Sequence, residues 1–347
     1  MPQIAVLILG YNDKVDLEDS IGSSIDQTYR NYKVIYIDNN SSDASVNFIS
    51  EHYPDVRIIK NTTNLGYAGA YNLALEKIFS ENFDGAVLLN PDVIVDRNWL
   101  THLVETAYLD EKIAIAQPKI FLWDGKENNL ANTFGNKINY LGFGFCGNYK
   151  EKDSEKFGMD IEITYASGCS MLIKRDCYRE IGNLDEKFFM YYEDQDLCWR
   201  ARMKGFRIML SSKSIIFHKY KFQRGGFHKR KIFLLERNRL YFIIKNYSIR
   251  TILLICPALI FVEIGIILDS MLKGYFFEKL KGYCHIIKNL NPLLADRKNI
   301  QSGRRVGDAE LYDLFSPTID FEEMDGAALK LMNVFLKYYY VLISKLI

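Results

Sequence analysis

Cysteine is sparse in this sequence and forms no recognisable pattern. The six cysteines (Cys146, Cys169, Cys177, Cys198, Cys256 and Cys284) are scattered, without a Cys-x-x-Cys pair. That spacing excludes a zinc ribbon or a disulfide framework and fits a reducing compartment. No glycine-rich dinucleotide fingerprint follows the first apolar run, and the glycines near Gly66 lack a phosphate-loop lysine; Rossmann cofactor binding and P-loop chemistry are therefore excluded. A basic segment before Ile4–Leu9 is also missing, so the apolar start reads as a buried first strand and not as a secretion signal. Charge of one sign is lacking too: 44 basic against 43 acidic residues leave a net +1, and no nucleic-acid partner is expected. Repeats and low-complexity tracts are absent.

What is present is a chain of 347 residues, 48% hydrophobic and 25% charged. That is long enough for a large core and for two domains, or one domain with a sizeable appendage. Ile4–Leu9 is apolar on both faces, as a central parallel strand covered by helices requires. It ends at Gly10-Tyr11-Asn12-Asp13. A helix with Leu17, Ile21 and Ile25 follows, then a strand, Val34–Ile37, that stops at Asp38-Asn39-Asn40-Ser41-Ser42-Asp43. Asn40, Ser41 and Ser42 are candidate caps for the next helix, with Val46 and Ile49. Val56–Ile59 is a third strand, Ala68–Phe79 a helix, and Ala86–Leu89 a fourth strand that ends at Asn90-Pro91-Asp92. This alternation predicts an α/β fold with a mostly parallel sheet flanked by helices and ligand at the strand carboxyl ends. Asn90-Pro91-Asp92 reads either as a strand-ending turn or as a short oxygen-ligand site for Mg2+ or Mn2+, which would need a second protein ligand.

A second polar cluster lies in Phe188-Phe189-Met190-Tyr191-Tyr192-Glu193-Asp194-Gln195-Asp196-Leu197. The spacing predicts a turn that becomes a helix near Asp196. On local grounds its carboxylates read first as a helix cap or a surface salt bridge, with Arg200 or Arg202 as partners, and second as a general base tuned by apolar neighbours.

The order and spacing of these segments resemble glycosyltransferase family 2, the inverting nucleotide-sugar transferases of GT-A fold, and its rhamnosyltransferase-like members in particular. The resemblance is carried by Leu9-Gly10-Tyr11-Asn12, Gln27-Thr28-Tyr29, Val34–Asp43, Asn64-Leu65-Gly66-Tyr67-Ala68-Gly69, Asn90-Pro91-Asp92, Ser167–Leu172, Tyr192–Leu197 and His218, within residues 3 to 240. It implies that Leu9, Tyr11, Asn12, Asp38, Asn64, Gly66, Asn90 and Pro91 line the nucleotide pocket. By the same resemblance Asp92 is the metal-binding acid of the family's Asp-x-Asp motif, with Asn90 where the first Asp often stands. The resemblance also implies His218 as the distant third contact to metal or diphosphate and Asp194 as the general base, ahead of Glu193. Asp196 is expected to cap the helix. Gly168 and Cys169 are expected on the acceptor side. A divalent metal, Mg2+ or Mn2+, is the implied cofactor, and the implied partners are a nucleotide-sugar donor and a glycan or lipid-linked glycan acceptor. A non-catalytic nucleotide-sugar- or glycan-binding protein on the same fold is the alternative. A nucleotidyltransferase would need a glycine-rich basic loop where Gly10-Tyr11-Asn12-Asp13 stands.

The C-terminal region, 241–347, reads as helical and membrane-associated. Phe227-His228-Lys229-Arg230-Lys231 is a basic run that suits a solvated face, the donor's diphosphate or an anionic membrane surface, where each Lys or Arg contributes about 1 kcal/mol. Thr251–Leu268 approaches the roughly 20 apolar residues of a membrane span. It contains Pro257 and Glu263, so spanning, lying in the membrane plane and burial in protein all remain open. Asn291–Glu323 reads as a loop. The expected location is the cytoplasmic face of a membrane, peripheral or monotopic.

Overall fold

The computed structural model describes residues 1–125, 128–220, 229–321 and 326–347. The chain divides into two compact units: 1–136, 146–201 and 206–221 in the first, and 137–145, 202–205 and 222–347 in the second.

In the first unit, β1 (Ile4–Gly10), α1 (Lys14–Ile25), β2 (Tyr32–Asp38), α2 (Ser45–His52), β3 (Arg57–Lys60), α3 (Gly66–Ser80) and β4 (Gly85–Leu89) alternate as expected. The chain continues through β5 (Val93–Val95), α4 (Trp99–Ala107), β6 (Ile113–Leu122) and β7 (Ala131–Thr133). Two short strands, β8 (Lys137–Asn139) and β9 (Gly144–Phe145), belong to the second unit. Then come β10 (Ile161–Glu162), β11 (Ser170–Lys174), α5 (Arg175–Ile181), α6 (Glu193–Met203) and β12 (Arg207–His218). The main sheet runs β10-β12-β6-β11-β4-β1-β2-β3, with β5 on β12 and β7 on β6. The block β4-β1-β2-β3 is parallel, whereas β11 enters antiparallel between β4 and β6.

Ile4 to Ile8 are all fully buried, so both faces of β1 are covered, as its continuous apolar run requires. Ile4, Val6 and Ile8 share a core with Leu17 and Ile21 of α1 and Trp99, Leu100 and Leu103 of α4. From β1 the chain moves through β2 and β3 to one side, then returns to place β4 on the other side. The carboxyl ends of β1, β2 and β4 therefore lie side by side, and α/β sheets bind ligands beyond such ends.

Three local expectations change. Helix α2 starts only at Ser45, whose N–H donates to Asp43 Oδ1 at 3.0 Å; Ser41 and Ser42 instead bind Asn12. Helix α6 starts at Glu193, earlier than expected. Asp196 is not its cap. The Asp196 carboxylate accepts from Arg200 Nε at 2.8 Å, in a buried pair whose guanidinium also donates to the carbonyls of Ile181 and Asn183.

The second unit holds α7 (Lys229–Asn246), α8 (Ile249–Lys273), α9 (Phe276–Lys288), α10 (Leu290–Ser302), the short α11 (Asp308–Leu311) and α12 (Ala327–Ser344), with a three-stranded sheet of β13 (Phe315–Ser316), β8 and β9. Phe227 and His228 of the basic run lie outside the described residues. Asn291–Glu323 is largely helical, apart from Glu322 and Glu323, which also lie outside them. Its polar residues look loop-like in sequence because they serve another helix. Arg297 and Gln301 of α10 donate to the carbonyls of Lys245, Asn246 and Tyr247 at the end of α7, which that helix cannot satisfy itself.

Candidate active site

The ends of β1 and β2 are bound into one frame. Gly10 lies opposite Asp38 in the ladder, and Asn39 N–H donates to the Gly10 carbonyl at 2.9 Å. Asn12 takes a left-handed backbone, φ 59°, which asparagine tolerates. Its Oδ1 accepts from the N–H groups of Ser42 (2.8 Å) and Asp43 (3.2 Å), while its own N–H donates to Ser41 Oγ. Asp38 is buried and accepts from Ser41 N–H at 3.1 Å. Leu9 is half-buried at the strand end and Tyr11 is exposed.

Asn39, part of that strand-end cluster but given no role from sequence, links this frame to the loop before α3. Its side chain donates to Asn64 Oδ1 (3.0 Å) and the Gly66 carbonyl (3.2 Å) and accepts from Leu65 N–H (3.1 Å). Gly66 has φ +71°, and a Cβ there would lie 2.4 Å from the Phe189 carbonyl oxygen. Only glycine meets both conditions.

That contact joins the loop to the segment before α6. Phe189, Tyr191 and Tyr192 have φ values of 64°, 69° and 74°. Such values are strained for aromatic residues, and strain of this kind concentrates at functional sites. It delivers Glu193 and Asp194 to the first turn of α6. Asp194 is half-buried; Oδ2 accepts from Gly168 N–H at 2.9 Å and Oδ1 from Gln195 N–H at 2.7 Å. Burial raises its pKa above the usual aspartate value, and those N–H donors oppose the rise. Glu193 is 4% exposed, and its Oε2 has no hydrogen-bond partner among the described residues. Burial, then the Asp194 charge, pushes its pKa well up. The two carboxyls therefore differ: Asp194 is oriented and reachable, Glu193 enclosed and favoured as the neutral acid.

Asn90, Pro91 and Asp92 are half-buried beyond β4. Asn90 N–H donates to the Cys169 carbonyl at 2.9 Å, and the Asp92 carbonyl accepts from Lys219 N–H at 2.9 Å. Because β5 pairs with the end of β12, His218 arrives beside Asp92, with Nε2 3.3 Å from Asp92 Oδ1. On the other side of the ring, Nδ1 lies 2.8 Å from the amide oxygen of buried Asn132 on β7. A carbonyl oxygen only accepts, so Nδ1 carries the proton and Nε2 faces Asp92. Burial disfavours the imidazolium, but Cys169 and Asp92 outweigh it and raise the pKa of His218 well above normal.

Two acceptors face to face call for a proton or a cation between them. With its nitrogen 3.3 Å from the carboxylate oxygen, the pair could hold a divalent cation such as Mg2+ or Mn2+ in place of a shared proton. Asp13 adds negative charge nearby: burial foremost, with Asp92 contributing, raises its pKa to about 6. Among the described residues no three His, Cys, Asp or Glu side chains form a metal cage. The donor set thus fits a cation that keeps open positions for phosphate and water. It does not fit a closed structural site.

The turn at Ser167-Gly168-Cys169 ties the two halves together. Gly168 N–H holds Asp194, its carbonyl accepts from Tyr67 Oη at 2.6 Å, and the Cys169 carbonyl holds Asn90. Asn39, Asn132 and Asp13 are the members of this constellation that the sequence reading did not assign. Asn39 and Asp13 stand inside strand-end polar clusters that could have suggested them; nothing local marks Asn132.

Comparison with known proteins identifies the family. The family model described as glycosyl transferase family 2 matches residues 5–182. A low-salt glycan biosynthesis hexosyltransferase of Haloferax volcanii is 25% identical over 209 residues, covering 60% of this chain and 64% of that protein. The N-acetylglucosaminyl-diphospho-decaprenol L-rhamnosyltransferase of Mycobacterium tuberculosis is 25% identical over 235 residues, covering 62% of this chain and 76% of that protein. Among solved structures, GalNAc-T7 with UDP, GalNAc and Mn2+ aligns over 72% of this chain and 49% of its own, with TM-score 0.60 and 16% identity, a likeness of fold. With its family model matched across just over half of its residues, the chain belongs to glycosyl transferase family 2.

Proposed function

We propose that the protein transfers a sugar, with inversion, from a nucleoside-diphosphate sugar (dTDP-rhamnose or a UDP-sugar) to a hydroxyl of a glycan or polyprenyl-linked glycan. The observation that carries this reading is the Ser167–Cys169 turn, which hydrogen-bonds Asp194 through Gly168 and Asn90 through Cys169, beside the Asp92–His218 pair. Asp194 takes the proton of the acceptor hydroxyl as that oxygen attacks the anomeric carbon from the face opposite the leaving group. Gly168 and Gln195 hold the carboxylate in place, and Gly168 and Cys169 lie towards the acceptor. Glu193 stays protonated beneath it.

Leu9, Tyr11, Asn12, Asp38, Asn64, Gly66, Asn90 and Pro91 form the nucleotide pocket, with Asp38 towards the ribose or base. Asp92 and His218 would hold Mg2+ or Mn2+, which supplies charge stabilisation to the departing diphosphate. The Mn2+ and UDP present with GalNAc-T7 support this choice of ligands. The name of the mycobacterial relative supports rhamnose and a lipid-linked acceptor. The transferase domain occupies approximately residues 1–240, and residues 241–347 associate with the cytoplasmic face of a membrane carrying anionic lipid.

A thermal-shift screen with UDP, dTDP and GDP, each with and without Mn2+ or Mg2+, tests the donor site. A nucleotide at a hundred times its Kd stabilises the fold by about 2.7 kcal/mol. One nucleotide with a metal-dependent shift is the expected result; no shift with any of them contradicts the reading.

A further inference from the structure

The two sides of helix α8 meet different fates. Thr251, Ile255, Ala258, Val262 and Ser270 are buried within the protein. On the opposite side Ile249, Leu253, Ile260, Ile264, Leu268 and Met271 form a stripe at helical spacing, each more than half exposed. Between Arg250 and Asp269 the only charge on the helix is Glu263. Helix α12 lies alongside: Phe335 meets Phe261 with ring centroids 4.8 Å apart, and Tyr339 Oη donates to the Leu254 carbonyl at 2.8 Å. Its own exposed stripe runs Leu331, Phe335, Tyr338 and Leu342 and ends at exposed Lys345. On α9, Phe277 and Ile287 are also exposed. Exposed apolar surface on this scale marks an interaction site. An apolar stripe closed by tyrosine and lysine is the pattern of a helix at a lipid interface.

By length and hydropathy alone α8 is the one described helix able to cross a membrane. Glu263 argues against crossing. Its carboxylate pairs with Arg239 of α7 and with Lys279 of α9 (2.8 Å) and accepts from Tyr283. Lys279 also binds Glu236 of α7 at 2.5 Å. Arg239 and Lys279 are each about 1% exposed. A spanning α8 would either abandon these partners, leaving two buried cations to share Glu236, or carry them into hydrocarbon; both are costly. Helix α7 is too charged and α9, at 13 residues, too short to accompany it.

We propose that the outer stripes of α8 and α12 are the protein's bilayer-contacting surface, and that α8 lies in the plane of one leaflet with Glu263 facing inward. This deepens the membrane-associated part of the proposed function and rests on it. The occupant is an anionic phospholipid bilayer, since the surface is apolar along its length and is flanked by exposed Arg250 and Lys273 at the ends of α8 and by Lys345 after α12.

The test uses the full chain with sealed vesicles of phosphatidylcholine and phosphatidylglycerol. Arg250→Cys and Lys273→Cys mark the two ends of α8, roughly 35 Å apart along the axis. A membrane-impermeant maleimide is added outside, and labelling is read peptide by peptide by mass spectrometry. The expected result is flotation with the vesicles and labelling of both ends from outside. Leu253→Asp with Ile264→Asp should lower the bound-to-free ratio at least about tenfold, with a cooperative circular-dichroism melt retained. One end protected until detergent is added would mean that α8 spans. Absence of flotation, or equal flotation of the double variant, would show that this face does not meet lipid. A concentration-dependent dimer in detergent-free buffer, abolished by the double variant, would assign the face to a second copy. Should the double variant fail to melt cooperatively, labelling of the two ends still decides between the orientations. Nucleotide thermal shifts report the first unit separately, so failure of the donor site and failure of this surface are told apart.

Discussion

Gly168 donates its backbone N–H to Asp194 Oδ2 at 2.9 Å, so the acid at the head of α6 is aimed by a turn from a different part of the sheet. The same turn anchors Asn90 through the Cys169 carbonyl. Placement of the acid and placement of the loop that carries Asp92 are therefore coupled through two consecutive residues, Gly168 and Cys169.

Glu193 gives a stability prediction with a definite sign. Its pKa is raised in the folded protein, so the folded state holds this proton more tightly than the unfolded state. The corresponding stability is complete below the ordinary value of about 4.5 and is lost as pH rises through the folded value. Glu193→Gln keeps the neutral form at every pH. Urea unfolding should show little difference from the parent below about pH 4.5 and a growing advantage for the variant above it. The gain should approach about 1.4 kcal/mol per pH unit. A constant difference across pH would mean that Glu193 is ionised in the fold.

Asn132 orients the imidazole that faces Asp92. Replacing such a partner typically weakens metal affinity 10–100-fold. Asn132→Leu should therefore show a rise of about that size in the Mn2+ dissociation constant, measured by electron paramagnetic resonance with nucleotide present. Affinity for nucleotide without metal should be unchanged. Unaltered Mn2+ binding would remove Asn132 from the site.

Gly66→Ala meets both a left-handed backbone and the Phe189 carbonyl oxygen. The expected cost is about 1–3 kcal/mol in chemical denaturation. Because Tyr67 N–H donates to that same carbonyl, the strained approach to Asp194 should loosen as well, with kcat falling more than stability alone explains. A variant as stable and active as the parent would refute the account of this contact.

In the second unit, Arg239 and Lys279 hold the Glu263 pKa at about 2 despite burial. A depressed carboxyl pKa contributes stability above its unfolded value, lost only as pH falls towards 2. Glu263→Ala leaves both cations buried without that carboxylate and should cost about 3–5 kcal/mol at neutral pH. A loss below 1 kcal/mol, read by denaturation in mild detergent, would show that the cations find other partners.

The parallel half of the fold was readable because its strands are short apolar runs buried on both faces and ended by Asn, Asp or Gly. Those endings carry Tyr11, Asn12, Asp38 and Asp92, so much of the candidate site was readable with them. Pairings distant in sequence were not. Asn132 sits on a three-residue strand and meets His218, 86 positions away. Glu263 reads as a penalty inside an apolar run until Arg239 and Lys279 are placed around it. Asp196 looked like a helix cap because carboxylates favour that position; the buried Arg200 claimed it instead. Asn291–Glu323 looked like a loop because polar residues that complete another helix resemble a solvated segment.

The most direct test of the central claim is single-turnover sugar transfer by the parent and by Asp194→Asn, with a nucleotide-sugar identified by the thermal screen and a polyprenyl-diphosphate glycan acceptor. The variant should bind donor as the parent does and lose about 10²–10⁴-fold in rate. The parent's own rate should fall on the acid side, as pH drops through the raised pKa of Asp194. An Asp194→Asn protein that turns over at the parental rate would contradict the assignment of the base and, with it, the mechanism built around Asp194.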